Sequence, residues 1–302
     1  MRRLSLVPAV ALAGLLTACG GSSRHAPVVE NPYAESARSF AMVGVSAMQR
    51  ERWDAAERGF ERELVAAQMA DDTPAVVLAH YNLGMARLAA GKREVGRQEL
   101  EQALGLAQRN RLDVMAARSR LALALDQARA GMLTDVPAID VRADWPADVQ
   151  LSAGRLALYR HDIGGARQAY GRALHKAGSD RAGIVLQARA HLGLAMAARA
   201  AKDESTSRAE LQQTLKLCRQ AGAPRVAADA LMMLASGEGA ADDRQDAMER
   251  ALAIYRDLQD RAAQRRALTA LVALTTGDAR MQWQKRLDAL GAEQVAPTAG
   301  TP

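Results

Sequence analysis

The chain has 302 residues, 49% of them hydrophobic and 25% charged, which is globular and long enough for a continuous core. Aromatic residues make up only 3% while Ala, Leu and Arg dominate, a helix-forming composition without any alternating apolar run long enough to predict a strand. The formal charge of +6 is a mild excess interleaved with acids, as in ERWDAAERGFERE, whereas a nucleic-acid binder gathers its basic residues into a stripe with aromatics; no nucleic acid is expected as a partner.

Residues 1–18 begin with Arg2 and Arg3 and continue as an apolar run from Leu4 to Leu16, interrupted by Pro8. The run is shorter than the roughly 20 residues a membrane-crossing helix needs, and it reads as an export signal. Leu16-Thr17-Ala18-Cys19 resembles the bacterial lipobox. The resemblance implies that 1–18 is a lipoprotein signal peptide, that Cys19 becomes an acylated N-terminus, and that several acyl chains anchor it more firmly than one would. Gly20 rather than Asp follows the cysteine, which in that group implies the outer membrane, with the protein facing the periplasm. The other reading is an ordinary signal with an incidental cysteine. Residues 19–33, rich in Gly, Ser and Pro, read as the acylated Cys and a flexible tether; His25 within it has no partner at metal-ligand spacing. Loss of the leader removes Arg2 and Arg3 and leaves a net charge of +4.

The repeating unit is clearest in Tyr81 to Gln108, YNLGMARLAAGKREVGRQELEQALGLAQ, which reads as a helix, a tight turn at Gly91-Lys92 and a second antiparallel helix. Counting from Gly84, the twelfth residue on is Gly96, the sixteenth Leu100 and the nineteenth Ala103. The same ruler takes Gly44 to Ala56, Phe60 and Glu63, and Gly154 to Ala166, Tyr170 and Ala173. A small residue on the first helix faces a small one on the second, and the large residue four positions later closes the contact. Gly44, Gly84 and Ala124 lie forty residues apart, and Gly154 and Gly193 thirty-nine. Self-similarity at such a period predicts a solenoid of stacked helix pairs.

The segments WDAAERGFE, REVGRQELEQA and IGGARQAYGRA resemble the second helix of the tetratricopeptide (TPR) repeat, over about residues 35 to 290. The resemblance implies an all-α fold, an α/α solenoid of TPR-like helical hairpins. The period is nearer forty than thirty-four, no Trp opens the first helices, and the repeat-ending proline is missing, so a HEAT-like helical repeat stays open as the alternative.

An N-terminal TPR-like block is expected at 34–131. Its first hairpin runs from about Glu35 to Gln68, turning near Glu51-Arg52, with Trp53 capping the packing. The next starts at Asp71-Asp72-Thr73-Pro74, with Thr73 as N-cap and Pro74 as first helical residue, and closes at Gln108-Arg109-Asn110. Leu112 to Ala130 is a further first-type helix without a partner. A Pro/Asp-rich strap at 132–148 follows, whose Pro137 and Pro146 forbid a regular helix. Its Val136, Ile139, Val141 and Trp145 either plug the solenoid's groove as a built-in peptide or cover the unpaired helix. The C-terminal block, 149–291, repeats the theme over Asp148–Lys176, Ile184–Gln220, Arg225–Leu258 and Ala262–Leu290. Its second copy reads as lengthened, because Gly193 reaches Leu211 after eighteen residues instead of sixteen. The third carries Met232 and Met233 in place of a small reference residue, the last pair is a charged end cap, and 292–302 is a frayed tail.

Chemistry-bearing motifs are absent: no HExxH, CxxC pair, phosphate loop or GxSxG occurs, so neither enzyme activity, a cofactor nor a metal is expected. His80, His161, His175 and His191 share no ligand spacing. Cys218 sits on an apolar stripe with Leu211 and Leu215 and reads as a buried thiol. By the TPR resemblance the first helices line a concave groove through Tyr81, Asn82 and Met85, then Leu151, Ser152, Arg155 and Tyr159, then Ala190, His191 and Leu194; each also reads as core between repeats. The Lys and Asn pattern of carboxylate-clamping TPRs is missing, and the groove reads as amphipathic, suited to an extended or helical segment of another protein. The expected function is a lipid-anchored scaffold or adaptor in the periplasm that binds protein partners in envelope or surface-structure assembly. Pilotins of type IV pili and their secretins, and adaptors that dock cell-wall hydrolases, are the analogies. The alternative class is a ligand-binding or catalytic helical-repeat protein. No face is apolar enough to require or forbid a homo-oligomer.

Overall fold

In the computed structural model the described residues are 31–132, 136 and 138–292; Cys19, the leader, most of the expected tether and the tail beyond 292 lie outside them. Among the described residues the chain forms 13 helices and no strand. They are α1 (Pro32–Gln49), α2 (Trp53–Met69), α3 (Thr73–Ala89), α4 (Arg93–Arg109), α5 (Asp113–Arg129), α6 (Ala147–Tyr159) and α7 (Ile163–Lys176). Then follow α8 (Arg181–Ala200), α9 (Glu204–Ala221), α10 (Pro224–Ala235), α11 (Ala241–Asp257), α12 (Arg261–Leu274) and α13 (Gly277–Ala292). Consecutive helices pack against one another in an α solenoid of hairpins.

The period comes from the turns. Glu51, Asp71, Gly91, Arg111 and Gly131 all have positive φ and stand 20 residues apart. Each closes a helix the same way: the Lys92 N–H donates to the Arg87 carbonyl at 2.9 Å and the Gly91 N–H to the Leu88 carbonyl at 3.1 Å, satisfying carbonyls that the helix leaves orphaned. A three-residue turn plus a helix of 17 residues, the length of α2, α3, α4 and α5, makes a unit of twenty. Two such units give the forty-residue repeat. His161, Lys202, Gly222 and Gln259 mark further turns of this kind.

Small residues set how closely paired helices approach. A methyl on Gly84 would fall 2.8 Å from Leu100 and one on Gly154 2.8 Å from the Tyr170 ring, both inside contact distance. Phe60, Leu100, Ala166 and Ala173 are fully buried, as the spacing rule requires.

The substantial contacts between helices two apart in sequence are α1 with α3, α3 with α5, α6 with α8 and α8 with α10. Helices on the inside of a curve are the ones that approach their second neighbours. The inner wall is therefore built from α1, α3, α5, α6, α8 and α10, and α2, α4, α7, α9 and α11 form the outer layer.

Several boundaries differ from the sequence reading. Asn31 caps α1, accepting from the Tyr33 N–H at 3.0 Å, and its amide donates to the Ala70 carbonyl, so helix replaces tether from Pro32. The N-cap of α3 is Asp72, which accepts from the Ala75 N–H at 3.1 Å, one residue before Thr73. The copy at α8–α9 is not lengthened. Its turn residue Lys202 lies seven after Ala195, as Gly91 lies seven after Gly84, and from Ala195 the ruler lands on fully buried Ser207 and Leu211. Ala195 is the reference residue, and Gly193 instead packs on Tyr170 of the preceding helix. In the copy at α10–α11 buried Ala230 packs with Ala195 and Leu211 of the preceding hairpin, while Ala228, Leu231 and Ala235 meet Ala247, Met248 and Ala251 of α11.

The strap covers α5. Val136, Ile139, Val141 and Trp145 pack with Ala117, Leu121, Ala124, Leu125 and Ala128, together with Val149 and Leu156 of α6. Arg160 donates to the Val136 carbonyl at 3.0 Å and the Gln150 amide to the Arg142 carbonyl at 2.7 Å. Of the two readings, the cover of an unpaired helix is the one realised; extended chain stands where an outer helix would lie.

Candidate protein-binding wall

The inner wall can be read from the register of its helices. One residue past each reference position stand Val45, Met85, Leu125, Arg155 and Met196. Leu125 is buried in the cluster that α5 shares with the strap and α6, Met85 is half-buried, and Val45, Arg155 and Met196 are exposed. Two before the reference of α1, Met42 is 69% exposed. Single exposed apolar residues need no explanation, but Val45 and Met196 share one inner register, with half-buried Met85 between them, and Met42 lies on the same helix as Val45.

The sequence-expected groove residues divide. Leu151 and Leu194 join Ala166, Tyr170 and Ala197 in the core between α6, α7 and α8, and Tyr159 joins the cluster under the strap. Tyr81 packs with Val77, Ala103, Ala107 and Ala116; burial raises its phenol above the ordinary value, and nearby Asp148 adds to this. Asp148 is itself paired with Arg118 at 2.7 and 3.1 Å. The Asn82 amide donates to the Glu63 carboxylate at 3.3 Å. Glu63 is 2% exposed and burial pushes its carboxyl up to about 7.

His191 meets Glu210 at 2.5 Å, and His80 meets Glu99 at 2.6 Å. Both histidines stand eleven residues before their turn residue and both acids eight after it. This is a repeated bridge between inner and outer helix, and it takes His191 out of the free groove. Ser152 donates to the Asp148 carbonyl, and Ala190 is buried. Met85 and Arg155 are the expected residues that keep exposed or half-exposed, unbonded side chains toward the concave side.

Sequence reasoning missed Met196 and Arg189. Both follow once Ala195 is taken as the reference, since Arg189 then stands six before it, as Arg118 stands six before Ala124. Arg189 is exposed yet crowded, and its guanidinium is held below the usual value by desolvation and then by the repulsion of Arg155.

Other arginines between helices are neutralised. Arg87 reaches Glu57 at 2.8 Å, Glu61 at 3.1 Å and Glu99 at 2.6 Å. Arg93 grips buried Asp126 at 3.0 Å. Arg225 joins Glu51, Asp260 at 2.6 Å and Asp229 at 3.6 Å. Glu51 is raised by burial in spite of Arg225.

Cys218 is buried among Ala188, Leu217, Ala223 and Val226, and burial pushes its thiol up to about 11, consistent with a packing thiol. At the open edge of the first hairpin, Tyr33, Phe40, Val65 and Met69 line a groove of about 440 Å³. Among the described residues no group of three or more His, Cys, Asp or Glu stands together, and no helix is long and apolar enough to cross a membrane. No protein-family model matches the chain, and no curated protein matches it at a significant level.

Proposed function

We propose that this protein is a lipid-anchored, non-enzymatic scaffold of TPR-like hairpins, held by Cys19 on the periplasmic side of the outer membrane, whose inner wall recruits a segment of another envelope protein. The observation that carries the reading is the exposed series Met42, Val45, Arg155 and Met196 on the inner helices, the last three at one register. Such a series offers an extended or helical segment apolar anchors and a charged contact together. The anchor rests on the lipobox resemblance at Leu16–Cys19, outside the described residues.

The test is capture of crosslinked partners from envelopes with the acylated protein, with Cys19→Ala, and with a Met42→Ser/Val45→Ser/Met196→Ser wall variant. One partner set lost in both variants supports the scaffold. Retention of every partner by the wall variant overturns it.

A further inference from the structure

Between α6 and α8 the inner wall changes character. Tyr170 belongs to the outer helix α7, and its ring lies against Gly154 of α6 and Gly193 of α8. A methyl on Gly154 would fall 2.8 Å from the ring and one on Gly193 closer still, so only glycines leave room for the aromatic to pass between the two inner helices. Tyr170 is 3% exposed, but no described residue hydrogen-bonds its hydroxyl, and that oxygen is not among the sealed atoms lacking a partner. The ring is buried and the hydroxyl tip opens to solvent. A buried tyrosine ordinarily bonds its hydroxyl within the protein, as Tyr255 does to Asp229 at 2.8 Å.

The two glycines that flank the Tyr170 ring place the other polar groups: Arg155 follows Gly154 in α6, and Arg189 stands one helical turn before Gly193 in α8. Arg155 acts electrostatically on both the phenol and the Arg189 guanidinium. Burial pushes the phenol up to about 12 against the pull of Arg155, so the hydroxyl keeps its proton and can donate. Both arginines are exposed, and neither has a hydrogen bond or ion pair to a described residue. The acid acting on Arg189 is Asp229, and that carboxylate is already engaged by Tyr255 and Arg225. Two guanidiniums and a phenol form a group rich in donors and short of acceptors, the arrangement that holds an oxyanion through charge-assisted bonds. Met196 on α8, 44% exposed, supplies apolar surface one register away, which a small free anion would leave uncovered.

We propose that the α6–α8 wall binds an acidic segment of a partner protein, with Arg155 and Arg189 pairing with its carboxylates, the Tyr170 hydroxyl donating beside them, and Met196 packing on the flanking apolar residue. The assignment rests on the scaffold reading and names the chemistry of its partner. It also revises the amphipathic, charge-indifferent groove expected from sequence: at α6–α8 the wall selects for negative charge.

The test is fluorescence anisotropy on the mature full-length chain, with a fluorescein-labelled peptide alternating Asp or Glu with Leu, and the same peptide carrying Asn and Gln. The acidic peptide binds, and binding weakens with salt because the contacts are ionic. Arg155→Gln and Arg189→Gln each weaken it about tenfold, the loss of one charge-assisted contact. Tyr170→Phe weakens it by roughly twofold to fivefold with an unchanged melting temperature, as removal of one hydroxyl donor should. Equal binding by the double arginine variant, or by the amide peptide, overturns the proposal. Binding of inorganic phosphate at the three groups without binding of the peptide identifies a small-anion site and overturns it too. Envelope capture separates the two readings. Partners lost with the Met42/Val45/Met196 variant but kept by R155Q/R189Q leave the scaffold standing and remove the acidic-segment assignment.

Discussion

Arg225, at the start of α10, holds Glu51, the left-handed turn residue between α1 and α2, across 174 positions of sequence. The same guanidinium reaches Asp260, the N-cap of α12, at 2.6 Å. The first hairpin's turn thus docks beside the starts of α10 and α12, and the curve of the solenoid closes on itself. Three acids, Glu51, Asp229 and Asp260, face one arginine there. Removing the cation leaves like charges facing one another, partly out of water, so Arg225→Ala should open the ring. We expect a larger radius of gyration by X-ray scattering and faster amide exchange around residues 48–53. The cost should be about 1–2 kcal/mol, below that of a fully buried pair because Arg225 is partly exposed. An unchanged radius would mean that ordinary packing holds the ends together.

Glu63 should make stability fall as pH rises. Its folded value of about 7 lies above the ordinary carboxyl value, so the native state holds the proton more tightly than the unfolded chain. The favourable contribution is fully present below the unfolded value and is lost as pH climbs through about 7. Glu63→Gln keeps a partner for Asn82 without charge. It should raise stability at pH 8 by on the order of 2 kcal/mol and flatten the slope between roughly pH 4.5 and 7. Denaturant melts across that range decide it.

The glycine slots should tolerate no methyl. Gly154→Ala or Gly44→Ala drives a Cβ into Tyr170 or Phe60 and should cost about 1–3 kcal/mol by overpacking. Phe60→Leu placed beside Gly44→Ala should recover part of the loss. Simple additivity in that double-mutant cycle would show that the two residues do not touch.

Turn residues with side chains in the left-handed region are strained. Lys202→Gly and His161→Gly relieve φ values of 61° and 59°, and each should add about 0.5–1 kcal/mol, less the entropy a glycine gives the unfolded chain. Gly91→Ala should lose about 1 kcal/mol at φ 80°. Calorimetry of the three variants checks the sign.

The Cys218 thiol, raised to about 11 and buried, should resist thiol reagents at pH 8 until the chain is unfolded. Rapid labelling of the native protein would mean that α9 and α10 open locally.

The spacing from Gly84 to Leu100 made the hairpins legible, because a small residue opposite a large one is a packing rule that survives in one sequence. Hairpin existence and the second helices could be read from it, and the irregular strap from Pro137 and Pro146. The copy at α8–α9 misled because Gly193 is also small, and its role is to admit Tyr170 from a different hairpin; smallness alone cannot say which neighbour a residue faces. Only the turn register, with Lys202 seven residues after Ala195, resolves this. The groove was less legible for the same reason. Leu151, Tyr159 and Leu194 look like surface anchors until the adjoining helices and the strap cover them, whereas Arg155 and Arg189 are distinguished by having no acid paired with them, which depends on distances between helices. Arg225 with Glu51 had no local signal at all.

The strap between α5 and α6 also fixes a parity. Because each helix from α2 to α5 takes twenty residues with its turn, odd and even units alternate between the two layers, and losing or gaining one unit would exchange lining and exterior for everything downstream. Extended chain beside α5 fills the space of one even unit without being a helix, so α5 and α6 both stay in the lining although they follow one another. A chain shortened by forty residues within α2 to α5 keeps every later helix facing the same way, while one shortened by twenty turns the arginine wall outward.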